Sequence, residues 1–209
     1  MWRLGLTGSI AMGKSTAARV FRALGVPVYD ADREIHRLLA PGGAGVAPVA
    51  RCFPQTRADG AIDRDALGRI VFEDREALRR LEAILHPLAR RAERRFLAAA
   101  ARRRAPLVVL DIPLLFETGG AARCDAVVVV SAPAFLQRDR ALSRSGMSTD
   151  KLAGILARQM SDREKRRRAD FVVTTGLGRR VSLNQLRRIV TMMTRPDWRP
   201  KRHRRRAER

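Results

Sequence analysis

The sequence predicts an α/β protein built on a parallel five-stranded sheet with helices packed against it. Three observations carry this. Short apolar, β-branched runs alternate with helical stretches, and the runs are apolar throughout rather than at every second residue. A glycine-rich segment, Gly8–Ser15, joins the first run to the first helix. The strands are expected at Arg3–Thr7, Pro27–Asp30, Leu107–Ile112, Ala126–Ser131 and Phe171–Thr174.

The first helix is expected over Ser15–Leu24, closed by Gly25, and a second begins near Asp32. Residues 40–105 then read as a helical insertion between the second and third strands. Gly42, Gly43, Gly45 and Pro48 form the loop leading into it, and Arg104-Ala105-Pro106 leads out. Within it, the Asp63 carboxylate can cap a helix running through Phe72. A helical stretch over Asp74–Leu85 follows, and Pro87 is expected to interrupt or kink it before a further helix around Leu88–Arg103. Beyond the fourth strand, helices are expected at Pro133–Arg144 and Thr149–Met160, with Ser182–Met193 last. Pro133 suits a first helical turn, where a missing N–H is harmless. The basic tail, 196–209, has no apolar periodicity and is expected to be disordered.

Composition narrows the class. At 209 residues with 45% hydrophobic and 31% charged residues, the chain suits one well-buried core with a small inserted subdomain. No apolar run approaches the ~20 residues of a membrane span, and Met1-Trp2-Arg3 does not open a signal peptide. Cys52 and Cys124 make no CxxC pair, so a reduced, cytoplasmic setting is expected. The net charge of +22 would draw polyanions, but the segment from Arg195 onward carries only +6 of it. The excess is therefore a property of the whole chain. No dedicated nucleic-acid partner is expected, although the tail can touch polyanions nonspecifically.

The chemistry is concentrated in Gly8-Ser9-Ile10-Ala11-Met12-Gly13-Lys14-Ser15-Thr16, which fits the phosphate-loop pattern G-x4-G-K-[ST]. Glycines let the backbone curl so that successive N–H groups face phosphate oxygens, and the following helix aims its positive end at the same anion. Lys14 supplies a mobile cation for the β- and γ-phosphates of ATP, and the Ser15 hydroxyl can ligate Mg²⁺. Asp30-Ala31-Asp32 follows the second strand, where strand ends open onto a ligand crevice. One of these carboxylates can cap the next helix while the other orients or deprotonates an attacking hydroxyl. Asp111, near the end of an apolar strand, is placed to act on Mg²⁺ directly or through water. Arg140 and Arg144, four apart, would share one helix face and both reach phosphates. A solvated basic face is the other reading of that pair.

Set in order, several segments resemble the bacterial dephospho-coenzyme A kinases over nearly the whole chain up to the tail. They are Leu6–Thr16, Asp30-Ala31-Asp32, Leu85-His86-Pro87-Leu88, Asp111-Ile112-Pro113-Leu114-Leu115-Phe116-Glu117, Gln137-x2-Arg140-x3-Arg144, Gln159 and Ala169–Val173. The resemblance implies a three-layer P-loop kinase fold with a helical substrate-binding insertion and a helical lid. It implies transfer of the ATP γ-phosphoryl group to the ribose 3′-hydroxyl of dephospho-CoA, with Asp32 as base or hydroxyl-orienting group. Segment 40–105 would bind the CoA moiety, and 138–166 would form the lid over ATP. His86, Leu114, Phe116 and Glu117 would contact the acceptor, and Arg140 would assist transfer.

Two positions depart from the family pattern. Many relatives carry arginine four residues beyond the catalytic aspartate, where this chain has His36, with Arg37 beside it. An unperturbed histidine is mostly uncharged at neutral pH, and Arg37 points about 100° around the helix. Thr174-Thr175-Gly176 stands where relatives often show Asp-Asn, which leaves the adenine edge to backbone atoms. Two other readings stay open on sequence alone. One is another P-loop metabolite kinase, acting on a nucleoside monophosphate or a sugar acid. The second is a nucleotide-regulated nucleic-acid-binding protein, against which stand 5% aromatics and the lack of a recognisable binding module.

Overall fold

The structure, a computed structural model, describes residues 1–200; the rest of the basic tail lies outside the described residues. Along the chain run β1 (Trp2–Thr7), α1 (Lys14–Ala23), β2 (Val28–Asp30), α2 (Ala31–Leu39), α3 (Val46–Cys52), β3 (Arg57–Ala58), β4 (Ala61–Ile62), α4 (Arg64–Glu73) and α5 (Arg75–Arg102). Then come β5 (Leu107–Asp111), β6 (Ala126–Ser131), α6 (Ala134–Leu142), α7 (Thr149–Arg158), α8 (Asp162–Arg168), β7 (Phe171–Thr174) and α9 (Arg179–Met193). These elements form two compact units, one of Met1–Tyr29 with the chain from Ala100 onward, the other of Asp30–Ala99.

The first unit is the α/β body. Its sheet has the order β2-β5-β1-β6-β7, and β1 runs parallel to both β5 and β6. Strands β5 and β6 are buried at every residue, as continuous Val/Leu runs require when both faces of a parallel sheet are covered. On one face, Leu4, Leu6, Val109, Val128 and Val130 pack with Ala17, Ala18 and Phe21 of α1 and Leu186, Ile189 and Met193 of α9. On the other, Gly5 makes room for a loop. A Cβ there would lie 2.7 Å from Leu115 Cδ2 and 2.9 Å from Cys124 Sγ, so the 112–125 connection can close against the sheet only over a glycine.

The second unit is helical with its own core, including Leu39, Val49, Phe53, Leu67, Ala77, Leu81 and Leu85. Asp63 caps α4 as expected, accepting from the N–H groups of Asp65 at 2.9 Å and Ala66 at 3.0 Å. The stretch around Gly45 and Pro48 is more regular than its glycines suggest. Helix α3 starts straight after Gly45 because Val49 and Phe53 are drawn into the core. The short β3–β4 hairpin turns at Asp59 and Gly60, both with positive φ.

Three expectations need correction. Pro87 does not divide the helix: α5 runs unbroken for 28 residues with Pro87 inside it. Proline removes one backbone donor, and the long Leu/Ala/Arg/Glu sequence on both sides of it favours helix enough to carry the element through. Helix α8 was not foreseen, although Ser161 caps it by accepting from the Glu164 N–H at 3.2 Å. Part of the stretch expected to be disordered is packed: Trp198 lies on the α/β core and meets Trp2 edge to face, with ring centroids 4.9 Å apart.

Candidate active site

The phosphate loop leaves β1 at Gly8 under a tight constraint. A Cβ on Gly8 would lie 2.5 Å from Val130 Cγ2 and 2.7 Å from the Val130 carbonyl oxygen, so no side chain fits against β6. Gly13 takes φ 92°, a left-handed conformation natural to glycine, and caps α1 by its carbonyl. Ala11 also adopts a left-handed φ of 62°, which for a non-glycine residue costs about 1–2 kcal/mol. Its methyl is buried with Ala141 and Leu152, from α6 and α7, which helps to offset the strain. Helix α1 opens directly from this loop with no acidic residue in its first turn, leaving its positive end available to an anion.

Lys14 lies across the loop with Nζ 2.7 Å from Asp111 Oδ1. Asp111 is 3% exposed at the end of β5, paired in register with Leu6 of β1. The arrangement neutralises a buried carboxylate with the lysine expected at the phosphates. Ser15 and Thr16 face solvent at the first turn of α1.

Bonds from the C-terminal half of the chain fasten the loop. Gln159 Oε1 accepts from the Ile10 N–H at 3.0 Å, and Gln137 Nε2 donates to the Ile10 carbonyl at 3.0 Å. Thr175 Oγ1 donates to the Met12 carbonyl at 2.8 Å. Arg140 does not extend freely into the loop: it donates from Nη1 to Thr175 Oγ1 at 3.2 Å and from Nη2 to the Thr175 carbonyl at 2.9 Å. Arg144 does not share its helix. α6 ends at Leu142, and the chain turns through Ser143–Gly146, with Gly146 at φ 71°, so Arg144 stands exposed beyond the last turn.

The Pro113–Glu117 segment is anchored at both ends. Thr7 Oγ1 donates to the Pro113 carbonyl at 2.8 Å. Glu117 Oε1 lies 3.0 Å from Lys165 Nζ and accepts from the Met160 N–H at 2.8 Å. Lys165 is fully buried and Glu117 is 17% exposed. Burial pushes the Glu117 carboxyl up, but the Lys165 hydrogen bond and the backbone N–H donors outweigh it and hold the group below the ordinary glutamate range. Leu115 is the core residue of this segment, whereas Leu114 is exposed and Phe116 half-buried.

In the second unit the two aspartates divide their work. Asp30 caps α2, accepting from the Arg33 N–H at 3.0 Å, and Asp32 is exposed in the first turn. Arg37 bends back onto Glu34, and His36 is exposed. His86 and Pro87 line a cavity of about 390 Å³ with Glu82, Ala83, Arg90 and Arg94.

The sequence profile of the dephospho-CoA kinase family matches residues 2–177, which include the loop, both aspartates and Pro113–Glu117. The chain belongs to the dephospho-CoA kinase family. A dephospho-CoA kinase of Paramagnetospirillum magneticum is 61% identical over 190 residues, covering 91% of this chain and 90% of that one. Among solved structures, a Thermus thermophilus protein superposes with a TM-score of 0.81 at 37% identity, over 91% of this chain and 96% of that one. A dephospho-CoA kinase from Campylobacter jejuni superposes with a TM-score of 0.69 at 25% identity, over 92% and 96%.

Sequence reasoning about this family member missed what Lys165 and Thr175 do. Lys165 sits in Asp162-Arg-Glu-Lys-Arg-Arg-Arg, a run with the composition of a solvated face, yet it is wholly buried. One signal was available: only four of the 43 basic residues are lysines, and Lys14 is another of them. Thr175 stood out only as a departure from the family pattern, and nothing pointed to its bonds, because its partners lie 35 and 163 residues away in sequence.

Proposed function

We propose that this member of the dephospho-CoA kinase family transfers the γ-phosphoryl group of ATP to the ribose 3′-hydroxyl of dephospho-CoA, giving ADP and CoA. The observation that carries this reading is the contact from Lys14 of a phosphate loop pinned by Gly8 to Asp111 at the end of β5, in a chain whose residues 2–177 fit that family.

The loop N–H groups and the start of α1 would receive the β- and γ-phosphates, and Lys14 would swing from Asp111 to the phosphate oxygens. Ser15 and Asp111 offer a hydroxyl and a carboxylate, hard oxygen donors of the kind magnesium takes alongside phosphates. A magnesium ion bound there with ATP would neutralise charge on the phosphates. Asp32, exposed and free of the capping role that Asp30 fills, would orient the 3′-hydroxyl and take its proton as the new P–O bond forms. The bond from the γ-phosphorus to the β–γ bridging oxygen breaks, and that oxygen leaves on ADP. Loose phosphoryl-transfer transition states need little base assistance, so orientation would be the larger part of the role of Asp32.

Arg140 would offer its guanidinium to the transferring group from its place on Thr175, with Arg144 as an exposed outer cation. Leu114 and Phe116 would form an apolar wall for the acceptor. Glu117 would hold that wall through its inner contacts, and His86 would contact the acceptor from the 40–105 insertion. Segment 138–166 would act as the lid. Cys52 and Cys124 form no disulfide among the described residues, which is in keeping with a cytoplasmic location.

An ATP-consumption assay across dephospho-CoA, AMP, CMP, adenosine and gluconate tests the assignment. Turnover is expected with dephospho-CoA alone; turnover with AMP and none with dephospho-CoA would overturn it.

A further inference from the structure

Ala11 is the strained residue of the phosphate loop, and the backbone on either side of it is fastened from outside. Both polar groups of Ile10 are taken by glutamine side chains, the N–H by Gln159 and the carbonyl by Gln137, each at 3.0 Å. On the other side, the Met12 carbonyl accepts from Thr175 Oγ1, and the Met12 sulfur accepts from the Ala132 N–H at 3.1 Å. Between these holds, the Ala11 methyl is buried against Ala141 and Leu152.

The two glutamines are themselves mounted. Gln137 is 9% exposed on α6. Gln159 follows α7 and precedes Met160, whose N–H is accepted by Glu117 Oε1, itself paired with the buried Lys165. The contacts thus pass from Lys165 through Glu117 and Met160 to Gln159, and from there to the loop.

We propose that Gln137 and Gln159 are positioning residues for ATP, gripping the Ile10 peptide groups so that the loop keeps its left-handed turn at Ala11 ready for phosphate. Neither side chain has to touch the nucleotide. Gln159 acts as an acceptor and Gln137 as a donor, and that difference in polarity separates a clamp from general packing. The proposal rests on reading the loop as an ATP site.

The test compares Gln159→Glu with Gln137→Glu in the full chain, measuring the KM for ATP, the KM for dephospho-CoA and kcat. Both substitutions place one negative charge beside the same residue, so the difference between them reports the hydrogen bonds. Gln159→Glu keeps an acceptor for the Ile10 N–H and should hold the ATP KM within about threefold of wild type. Gln137→Glu removes the donor and sets a carboxylate against the Ile10 carbonyl, and should raise the ATP KM roughly ten- to hundredfold. The acceptor KM and kcat at saturating ATP should stay near wild type for both. Equal changes in ATP KM would overturn the clamp.

If Gln137→Glu does not fold, the less buried position decides. Gln159→Leu should then lose about tenfold in ATP KM while Gln159→Glu does not, and equal behaviour of those two overturns the proposal. Failure of the wild-type chain to bind ATP at all would instead defeat the underlying reading of the loop.

Discussion

The Glu117–Lys165 pair makes an unequal prediction for its two halves. Lys165 is 0% exposed and Glu117 is 17% exposed. Replacing Glu117 with Gln removes the negative charge beside an ammonium group with no path to water and leaves it two neutral acceptors, the amide oxygen and the Pro113 carbonyl at 3.5 Å. Breaking a buried pair in this way costs about 3–5 kcal/mol. For a chain of this size that corresponds to a fall of roughly 6–20 °C in Tm. Replacing Lys165 with Met fills much the same volume and leaves a partly exposed Glu117 side chain whose Oε1 still accepts from Met160, while its Oε2 is buried. That change should cost only about 1–2 kcal/mol. Thermal unfolding at neutral pH, followed by circular dichroism, reads the two values side by side. Equal losses, or a larger loss for Lys165→Met, would refute the argument that burial of the ammonium sets the asymmetry.

Three further outcomes follow from the geometry. Gly8→Ala should raise the ATP KM at least tenfold, at an overpacking cost of about 1–3 kcal/mol; adding Val130→Ala should not restore it, because the obstructing Val130 carbonyl remains 2.7 Å away. Since the Glu117 carboxyl is held below its ordinary value of 4.5, its stabilising contribution is complete above that value and is lost as the pH falls through the lowered one. The stability gap between wild type and Glu117→Gln, measured by denaturant titration, should therefore be flat above about pH 4.5 and shrink in more acid buffer. Asp32→Asn should reduce kcat about a hundredfold or more while ATP binding by calorimetry stays near wild type; near-normal turnover would remove Asp32 from the mechanism.

Much of the sheet was legible because parallel strands buried on both faces announce themselves as unbroken apolar runs: β6 and β7 begin and end where Ala126–Ser131 and Phe171–Thr174 were expected. The loop was legible for a different reason. Gly8 and Gly13 are imposed by local sterics and φ, and such requirements leave a fixed spacing in the sequence. Asp63 as a cap was legible too, since a carboxylate acts there on amides two and three residues ahead.

What stayed hidden depends on distant partners. Pro87 was expected to interrupt or kink the helix because the local rule for proline is strong, but it removes one backbone donor in a helix of 28 residues that runs through it. The role of Arg140 on Thr175, the two bonds to Ile10 and the burial of Lys165 all join residues separated by 35 to 149 positions, or arise from how α8 is packed. Gln137 and Gln159 stood out as family markers without any chemistry attached. In the fold, one donates to and the other accepts from the same residue.

The central claim is phosphoryl transfer to one hydroxyl, and product analysis tests it most directly. After incubation of the full chain with ATP, magnesium and dephospho-CoA, phosphorus NMR and mass spectrometry should find one new phosphomonoester on the ribose 3′-carbon, formed in equal amount with ADP. ADP accompanied only by inorganic phosphate, or a phosphate on any other acceptor atom, would contradict the account.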